Sequence, residues 1–364
     1  MTLSLQAYKT FGTQTMRILL TTSLILICIL GAEAQDRHFS QFYASPLTLN
    51  PALTGAFDGR YRVAAIYRDQ WRGAMENPFV TFSTSLDMKW RMSRNTSRYK
   101  DHAAVGVLFF GDKAGPLSFS TTQISVSGAY HKALDLHNTQ ILSLGFQAGI
   151  AQRNVNFGNI TFEDQFNGTT GYSDPTSERL PENNYAFADY SVGLNYVYAP
   201  KASRMRVFAG AAMHHFMSPS VSFFNRADSD TDLPDNLLAR RYSGQLSMQF
   251  PLSKGVMLLP RAIFDRQDQH TKLDAGANFR INTSEFKSVA LHLGGFVRPV
   301  HDQSGSYRVD VVAALVGVEL NNVLIGMSYD IFTGRTANFA RGAFELSVAY
   351  LGEYEDDLIL CPKF

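Results

Sequence analysis

Short segments in which apolar and polar residues alternate recur along almost the whole chain, and this pattern constrains the fold most. In the segment 141–150, Leu142, Leu144 and Phe146 fall on one face, and Ser143 falls on the other. Successive side chains of a β-strand point to opposite faces, so period two indicates strands with one apolar and one polar face. The chain is therefore predicted to be an all-β protein.

About fourteen such segments follow one another, and an even strand number is typical of a bacterial single-chain membrane barrel. The segments are 60–70, 78–90, 102–111, 118–132, 139–152, 186–199, 204–216, 240–251, 254–266, 271–281, 287–299, 306–319, 321–333 and 340–351. Many reach about ten residues, whereas strands of soluble proteins average about five or six. The pattern predicts a transmembrane antiparallel up-and-down β-barrel, with a soluble β-sandwich as the alternative.

The start of the chain has the pattern of a secretory signal peptide. Arg17 precedes the apolar run 18–30, and Ala32 and Ala34 predict cleavage before Gln35. A run of about 13 residues is shorter than the roughly 20 that a spanning helix needs, although a short N-terminal anchor is an alternative. No later stretch is longer, so the mature chain can cross a lipid membrane only as a closed barrel. The predicted location is the cell outer membrane.

These observations divide the chain into four parts. They are a signal peptide over 1–34, an N-terminal plug or periplasmic segment over 35–58, the barrel over 59–352 and a tail over 353–364. The connections 154–184 and 218–239 are long and rich in Asn, Asp, Ser, Gly and Pro, whereas 200–203 and 320–322 are short. Barrels of this kind keep short turns in the periplasm and long loops outside.

Composition and motifs argue against several functions. The net charge is +1, with no clustered basic face for nucleic acid. Cys28 lies in the leader and Cys361 is then the only cysteine, so neither an internal disulfide nor a thiolate zinc site is predicted. There is no G-x-S-x-G or H-E-x-x-H motif. We expect no enzyme and no cofactor, with a membrane hydrolase as an alternative, because catalytic triads are recognised by geometry.

Two short motifs suggest metal sites, and both have a simpler interpretation. The acidic stretch that begins at Asp228 resembles a calcium loop, but Leu233 replaces the required glycine and Ala239 the terminal glutamate. A solvated acidic loop is therefore the prediction. His214 and His215 are adjacent, so on a strand they are expected to point to opposite faces.

Charged residues within the predicted strands are expected to face the lumen, because arginine on the lipid face costs roughly 2–4 kcal/mol near the midplane. The candidate lumen-facing residues are Arg62, Arg68, Asp274, Arg280, Asp330 and Glu345. Arg261 belongs with them. Their mixed signs favour an interior in which charges pair with one another over an open charged pore.

The segment that precedes the first strand is predicted to bind or plug. Its candidate residues are Phe39, Phe42, Tyr43, Asn50, Pro51 and Ala52. Proline at 51 interrupts regular structure and removes a hydrogen-bond donor. Our hypothesis is that 35–58 folds into the periplasmic mouth and partly occludes the lumen. The alternative is a short ordered tail packed on the barrel rim.

The sequence also resembles a known family. Residues 35–55 read QDRHFSQFYASPLTLNPALTG, and the chain ends in CPKF. These motifs, with Tyr67–Trp71, Tyr329–Asp330 and 342–348, resemble the PorP/SprF family of type IX secretion outer-membrane proteins. The resemblance implies a Bacteroidota barrel that has type IX secretion components and a secreted or surface-anchored cargo protein as partners. Such members assist secretion or anchoring of a protein such as an adhesin, and some serve gliding motility.

The resemblance leaves one rival function. Barrels resembling the fatty-acid-transporter type also carry the motif N-P-A, which here is Asn50-Pro51-Ala52. The alternative is therefore an outer-membrane transporter or channel for a small solute. No catalysis is implied by either likeness, and outer-membrane lipid is an expected partner of both.

Overall fold

Fourteen antiparallel strands form one closed barrel in the computed structural model of the protein. The structure describes residues 38–92, 97–115, 117–178, 180–200, 205–223, 236–283, 289–301, 307–333 and 342–352. The predicted signal peptide, the tail and most of the acidic stretch after Asp228 lie outside the described residues.

The strands follow one another around the barrel in chain order. They are β1 (Tyr61–Gln70), β2 (Phe79–Arg91), β3 (His102–Ala114), β4 (Phe119–Ala133), β5 (Gln140–Asn154), β6 (Asn184–Tyr198), β7 (Arg206–His214), β8 (Arg241–Pro251), β9 (Val256–Gln267), β10 (His270–Asn282), β11 (Val289–His301), β12 (Tyr307–Leu320), β13 (Val323–Phe332) and β14 (Ala343–Gly352). β1 pairs with β14 from Tyr61 opposite Gly352 to Gln70 opposite Ala343, which closes the ring. The predicted up-and-down barrel of about fourteen strands is confirmed.

The two faces of the sheet differ as period two requires. On β5, Leu144 and Ile150 are 62% and 65% exposed, whereas Ser143 and Gln147 are 1% and 5% exposed. The apolar face therefore points away from the barrel and the polar face points into it. One sheet closed on itself also excludes the β-sandwich, in which apolar faces of two sheets pack together.

The two ends of the barrel differ in their connections. β1 begins and β14 ends at one end, which also carries the two-residue turn Asn321–Asn322. The long connections 155–183 and 215–240 both lie at the opposite end. Because outer-membrane barrels carry long loops outside, we call these the inner end and the outer end respectively.

Residues 38–58 precede the barrel and contain no strand; we call them the inner segment. It forms a 3-10 turn (Phe42–Ala44), the short helix α1 (Pro46–Leu49) and a second 3-10 turn (Pro51–Leu53). The last two begin with proline, which suits a first helical position because no N–H is needed there. Among the described residues, no helix is long and apolar enough to cross a membrane.

Candidate functional site

The inner segment lies inside the barrel, because it contacts the buried faces of strands all around the ring. Its hydrogen bonds reach β1, β2, β4, β6, β7, β8, β11, β13 and β14. Leu47, Ala52, Thr54 and Ala56 are all 0% exposed. The barrel wall therefore surrounds the segment and buries most of its residues.

At the outer end, the Glu345 carboxylate binds the start of the segment through hydrogen bonds. The backbone N–H groups of Ser40 and Gln41 donate to the two oxygens of Glu345 at 2.7 and 2.8 Å. Arg68 pairs with both Glu345 and Asp330, and Asp330 also accepts from the Ser40 hydroxyl at 2.7 Å. Arg68 and Glu345 are cross-strand partners on β1 and β14, so strand register alone brings them together. We call these five residues the outer anchor.

A chain of ion pairs continues from the outer anchor along the wall. The Arg298 guanidinium donates to the Ser40 hydroxyl at 3.2 Å and to Asp274 at 2.6 Å. Lys272 lies 3.0 Å from the other oxygen of Asp274. Arg298 and Asp274 are both buried. Charges of opposite sign are therefore paired, as an interior shielded from water requires.

At the inner end, a second set of buried charges holds the end of the segment; we call it the inner anchor. Arg62 pairs with Asp87 at 2.7 Å and donates to the Leu53 carbonyl at 3.0 Å. The Gly55 N–H donates to Asp87 at 2.7 Å, and the Lys89 ammonium donates to the Phe57 carbonyl at 2.5 Å. Gly55 has a φ of +72°, a conformation that glycine adopts without strain.

Between the anchors, Asn50 ties the segment to β6 and β7. Its Nδ2 donates to the carbonyls of Leu194 and Ala211 at 2.9 and 3.3 Å, and its Oδ1 accepts from the Ala52 N–H at 2.8 Å. On the wall, a Cβ at Gly145 would lie 2.3 Å from the Ala52 nitrogen. Glycine on β5 therefore allows two backbones to approach closely.

Aromatic residues of the segment fill the space toward β9 and β11. The Phe42 ring lies edge-on to Phe296 with centroids 5.7 Å apart. The Arg261 guanidinium lies over the Tyr43 ring, 4.0 Å from its centroid. The Phe39 ring also lies edge-on to a wall residue, Phe110 of β3, with ring centroids 6.5 Å apart.

Of the six residues predicted within the inner segment, five are buried and Tyr43 is half-buried. Of the six predicted lumen residues, Arg62, Arg68, Asp330 and Glu345 contact the inner segment or its partners directly, and Asp274 does so through Arg298. Arg280 instead pairs with Glu319 on β12, away from the segment.

The inner segment runs further into the barrel than the sequence suggested. We expected residues 35–58 to fold into the periplasmic mouth. Ser40 instead contacts Arg68, two residues before the outer end of β1, whereas Phe57 contacts Lys89 at the inner end of β2. The described segment therefore spans most of the lumen, because its partners are distributed along the strands.

Sequence reasoning missed several contact residues. Ser40 and Gln41 contact the wall through both their backbone N–H groups and their side chains, and strand alternation gives no signal for either because they precede the first strand. Asp87 stands on the polar face of an alternating segment, which is the one signal available for it. Arg298 has the signal of any charged residue within a predicted strand, whereas Gly145 has none, and only strand register brings either of them to the segment.

The adjacent histidines do not point to opposite faces, which corrects the sequence prediction. β7 ends at His214, and His215 has a φ of +56°, which turns its ring back toward the interior. His214 Nε2 lies 3.2 Å from the Leu49 carbonyl, and His215 pairs with Asp189 at 2.8 Å. Among the described residues, no group of histidine, cysteine and carboxylate side chains has the arrangement of a metal site.

The described part of the first long loop is folded and carries an aromatic pair. Phe166 and Tyr172 form an antiparallel bridge, with ring centroids 5.3 Å apart and side chains 46% and 55% exposed. Asp164 accepts from the Ser177 N–H at 2.6 Å, and this hydrogen bond lowers the pKa of the Asp164 carboxyl below its ordinary value. The loop thus exposes two aromatic rings, and hydrogen bonds such as the one between Asp164 and Ser177 order the residues around them.

Comparison with known proteins gives one family and several barrels of similar shape. Residues 31–350 match the model of the family described as type IX secretion system membrane protein PorP/SprF. Among solved structures, the P. putida toluene transporter TodX is 11% identical, with a TM-score of 0.47 over 85% of this chain and 94% of that one.

Two further barrels are similar at the same level. A Pseudomonas aeruginosa FadL homologue is 11% identical, with a TM-score of 0.46 over 83% of this chain and 92% of that one. BamA from Haemophilus ducreyi is 8% identical, with a TM-score of 0.42 over 80% and 70%. No curated protein matches the chain in sequence.

Proposed function

Since the chain belongs to the PorP/SprF family of type IX secretion system membrane proteins, we propose that it assists the secretion or surface anchoring of a partner protein. Its closed barrel is located in the outer membrane. Its proposed partners are other type IX components and a cargo such as a surface adhesin. The role is one of binding, without catalysis.

One observation carries this proposal: the inner segment occupies the lumen and is held at both ends. The outer anchor and the inner anchor use buried ion pairs, and Asn50 holds the middle. A folded protein has no free passage through such a barrel. On this basis we propose that the segment is a plug, and that a partner binds at the barrel's ends instead of passing through the lumen.

The long loops at the outer end are the proposed docking surface. Exposed aromatic rings on a structured base are typical of interface residues that contribute much of the binding energy. Phe166 and Tyr172 meet that description in the described part of the first loop.

The partner experiment uses intact cells and three strains. Deleting the whole protein should abolish the surface display of one large protein that is encoded nearby, and an antibody against that protein measures the display. Phe166→Ala with Tyr172→Ala should reduce that display and reduce capture of the same partner from solubilised outer membrane. Phe157→Ala, in the same loop but outside the aromatic pair, is the matched control. Full display in the deletion strain would remove the proposed role, and loss of gliding in it would identify a motility adhesin.

The plug is tested separately by conductance in planar bilayers. Deleting residues 35–55 should increase single-channel conductance strongly, because the segment fills the lumen. Unchanged conductance would remove the plug proposal. A small-solute transporter, the alternative function, predicts slower growth of the deletion strain on one solute together with normal surface display.

A further inference from the structure

A cavity of about 40 Å³ lies between the inner segment and the wall formed by β6 to β9. Phe42 and Leu49 of the segment and Phe208 of β7 form its apolar side. Asn195 of β6 and Gln245 and Ser247 of β8 form its polar side. A ligand here therefore meets carbon on one side and hydrogen-bonding groups on the other.

Two amide groups of the polar side have unused hydrogen-bonding atoms. Asn195 is 1% exposed, and its Nδ2 has no hydrogen-bond partner among the described residues. Gln245 Oε1 is buried and equally without a partner there. A buried polar atom without a partner destabilises the folded state, so a ligand that supplies both partners is favoured.

Strand register brings the two amide side chains close together. Gly210 of β7 lies between Asn195 and Gln245 in the strand register. A Cβ at Gly210 would lie 2.7 Å from Gln245 Nε2 and 2.9 Å from Asn50 Nδ2. Gln245 Nε2 donates to Asn195 Oδ1 at 3.5 Å, which leaves Asn195 Nδ2 as a donor and Gln245 Oε1 as an acceptor on two residues that line the cavity.

The charged residue at the cavity is engaged within the protein. Arg261 lies over the Tyr43 ring at 4.0 Å and donates to Asn278 at 2.9 Å. Asn195 Nδ2 and Gln245 Oε1 belong to neutral amide groups. A ligand that satisfies both must accept one hydrogen bond and donate another, which an amide or a hydroxyl can do and a carboxylate cannot.

We propose that the cavity binds a small neutral molecule with a primary amide or hydroxyl head on a short apolar body. The head accepts from Asn195 Nδ2 and donates to Gln245 Oε1, and the body contacts Phe42 and Phe208. A water molecule needs roughly 10–15 Å³ of cavity volume, so a cavity of about 40 Å³ admits about three to four non-hydrogen atoms. This site is independent of the secretion role, and either proposal can fail without the other.

The test uses the full-length barrel in detergent, with acetamide as the probe, followed by saturation-transfer NMR. Transfer to the acetamide methyl group is expected in the unchanged protein. Asn195→Leu combined with Gln245→Leu should weaken binding about thirtyfold, because two hydrogen bonds of ordinary strength are lost. Gln123→Leu, the same change on the lumen face of β4 away from the cavity, should leave binding unchanged.

A second probe and a second variant complete the test. Acetate has the same size but no donor for Gln245 Oε1, so it should bind more weakly than acetamide. Ser247→Leu places carbon in the cavity and should abolish transfer while the heat-modifiable gel shift still shows a folded barrel. Absence of transfer in the unchanged protein, equal binding by the double variant, or acetate binding as tightly as acetamide would each overturn the proposal.

Discussion

The inner segment touches two contrasting sides of the lumen. Toward β13, β14, β1 and β2, buried carboxylates and guanidinium groups hold its backbone through the two anchors. Toward β6 to β8, the contacts are single hydrogen bonds, from Asn50, Ser243, His214 and the Arg241 guanidinium, and a cavity remains. The comparison teaches that buried ion pairs hold the segment on one side, whereas single hydrogen bonds and close packing hold it on the other. Substitutions on the charged side should therefore have the larger effects.

Glu345→Ala should have the largest effect. It removes the acceptor of two backbone N–H groups and one partner of the buried Arg68. Breaking a buried ion pair costs about 3–5 kcal/mol, so we expect faster hydrogen exchange across residues 38–45 and a lower melting temperature. Glu319→Ala is the matched control, because Glu319 pairs with Arg280 without touching the segment. If the hydrogen-exchange rates of residues 38–45 are the same in the two variants, the outer anchor does not hold the segment.

Gly145→Ala should have the next largest effect, on β5, the neighbour of the side held by single hydrogen bonds and close packing. The added Cβ would lie 2.3 Å from both the Ala52 nitrogen and the Pro51 carbonyl carbon, where two backbones must separate. Overpacking of this kind costs about 1–3 kcal/mol, measured as a lower unfolding temperature in detergent. Gly244→Ala on β8 meets no atom within 4 Å and should leave that temperature unchanged. Equal melting of the two variants would mean that the segment does not lie against β5.

Asn50→Ala should cost about 1–2 kcal/mol, because it removes a turn cap and two bonds to strand carbonyls. Asn50→Asp separates these contributions, since the carboxylate still accepts from the Ala52 N–H but cannot donate to Leu194 and Ala211. Thermal unfolding should therefore rank the unchanged protein first, and both variants clearly below it. An unchanged melting temperature in both would contradict the role of Asn50 in fixing the middle of the segment.

Gln245→Leu should have the smallest effect, within about 1 kcal/mol. Gln245 Oε1 has no partner among the described residues, and the one hydrogen bond that is lost, from Gln245 Nε2 to Asn195 Oδ1, is long at 3.5 Å, so the cost is small. Arg62→Leu on the opposite side is the contrast, because it leaves Asp87 buried without its guanidinium. Equal losses of unfolding free energy from these two variants would end the distinction between the sides.

The barrel was largely predictable, and the interior was predictable only in kind. Period two assigns residues such as Ser143 and Leu144 to opposite faces, whatever the neighbouring strand is. The same rule places Arg68 and Glu345 on the polar face. It does not show that they are opposite each other, that Asp330 joins them, or that Ser40 completes the set. Those facts depend on register between strands separated by most of the chain.

The sequence by itself determined the strands, their approximate number, their apolar outer face and the proline-interrupted segment before them. These are local properties, because side-chain alternation and the restricted backbone of proline act over a few residues. Tertiary structure alone decided how far the segment enters the lumen, which charges pair, and where the glycines and the cavity lie. The physical reason is ring closure: it sets contacts between residues hundreds of positions apart, and a pattern read along the chain contains no such distances.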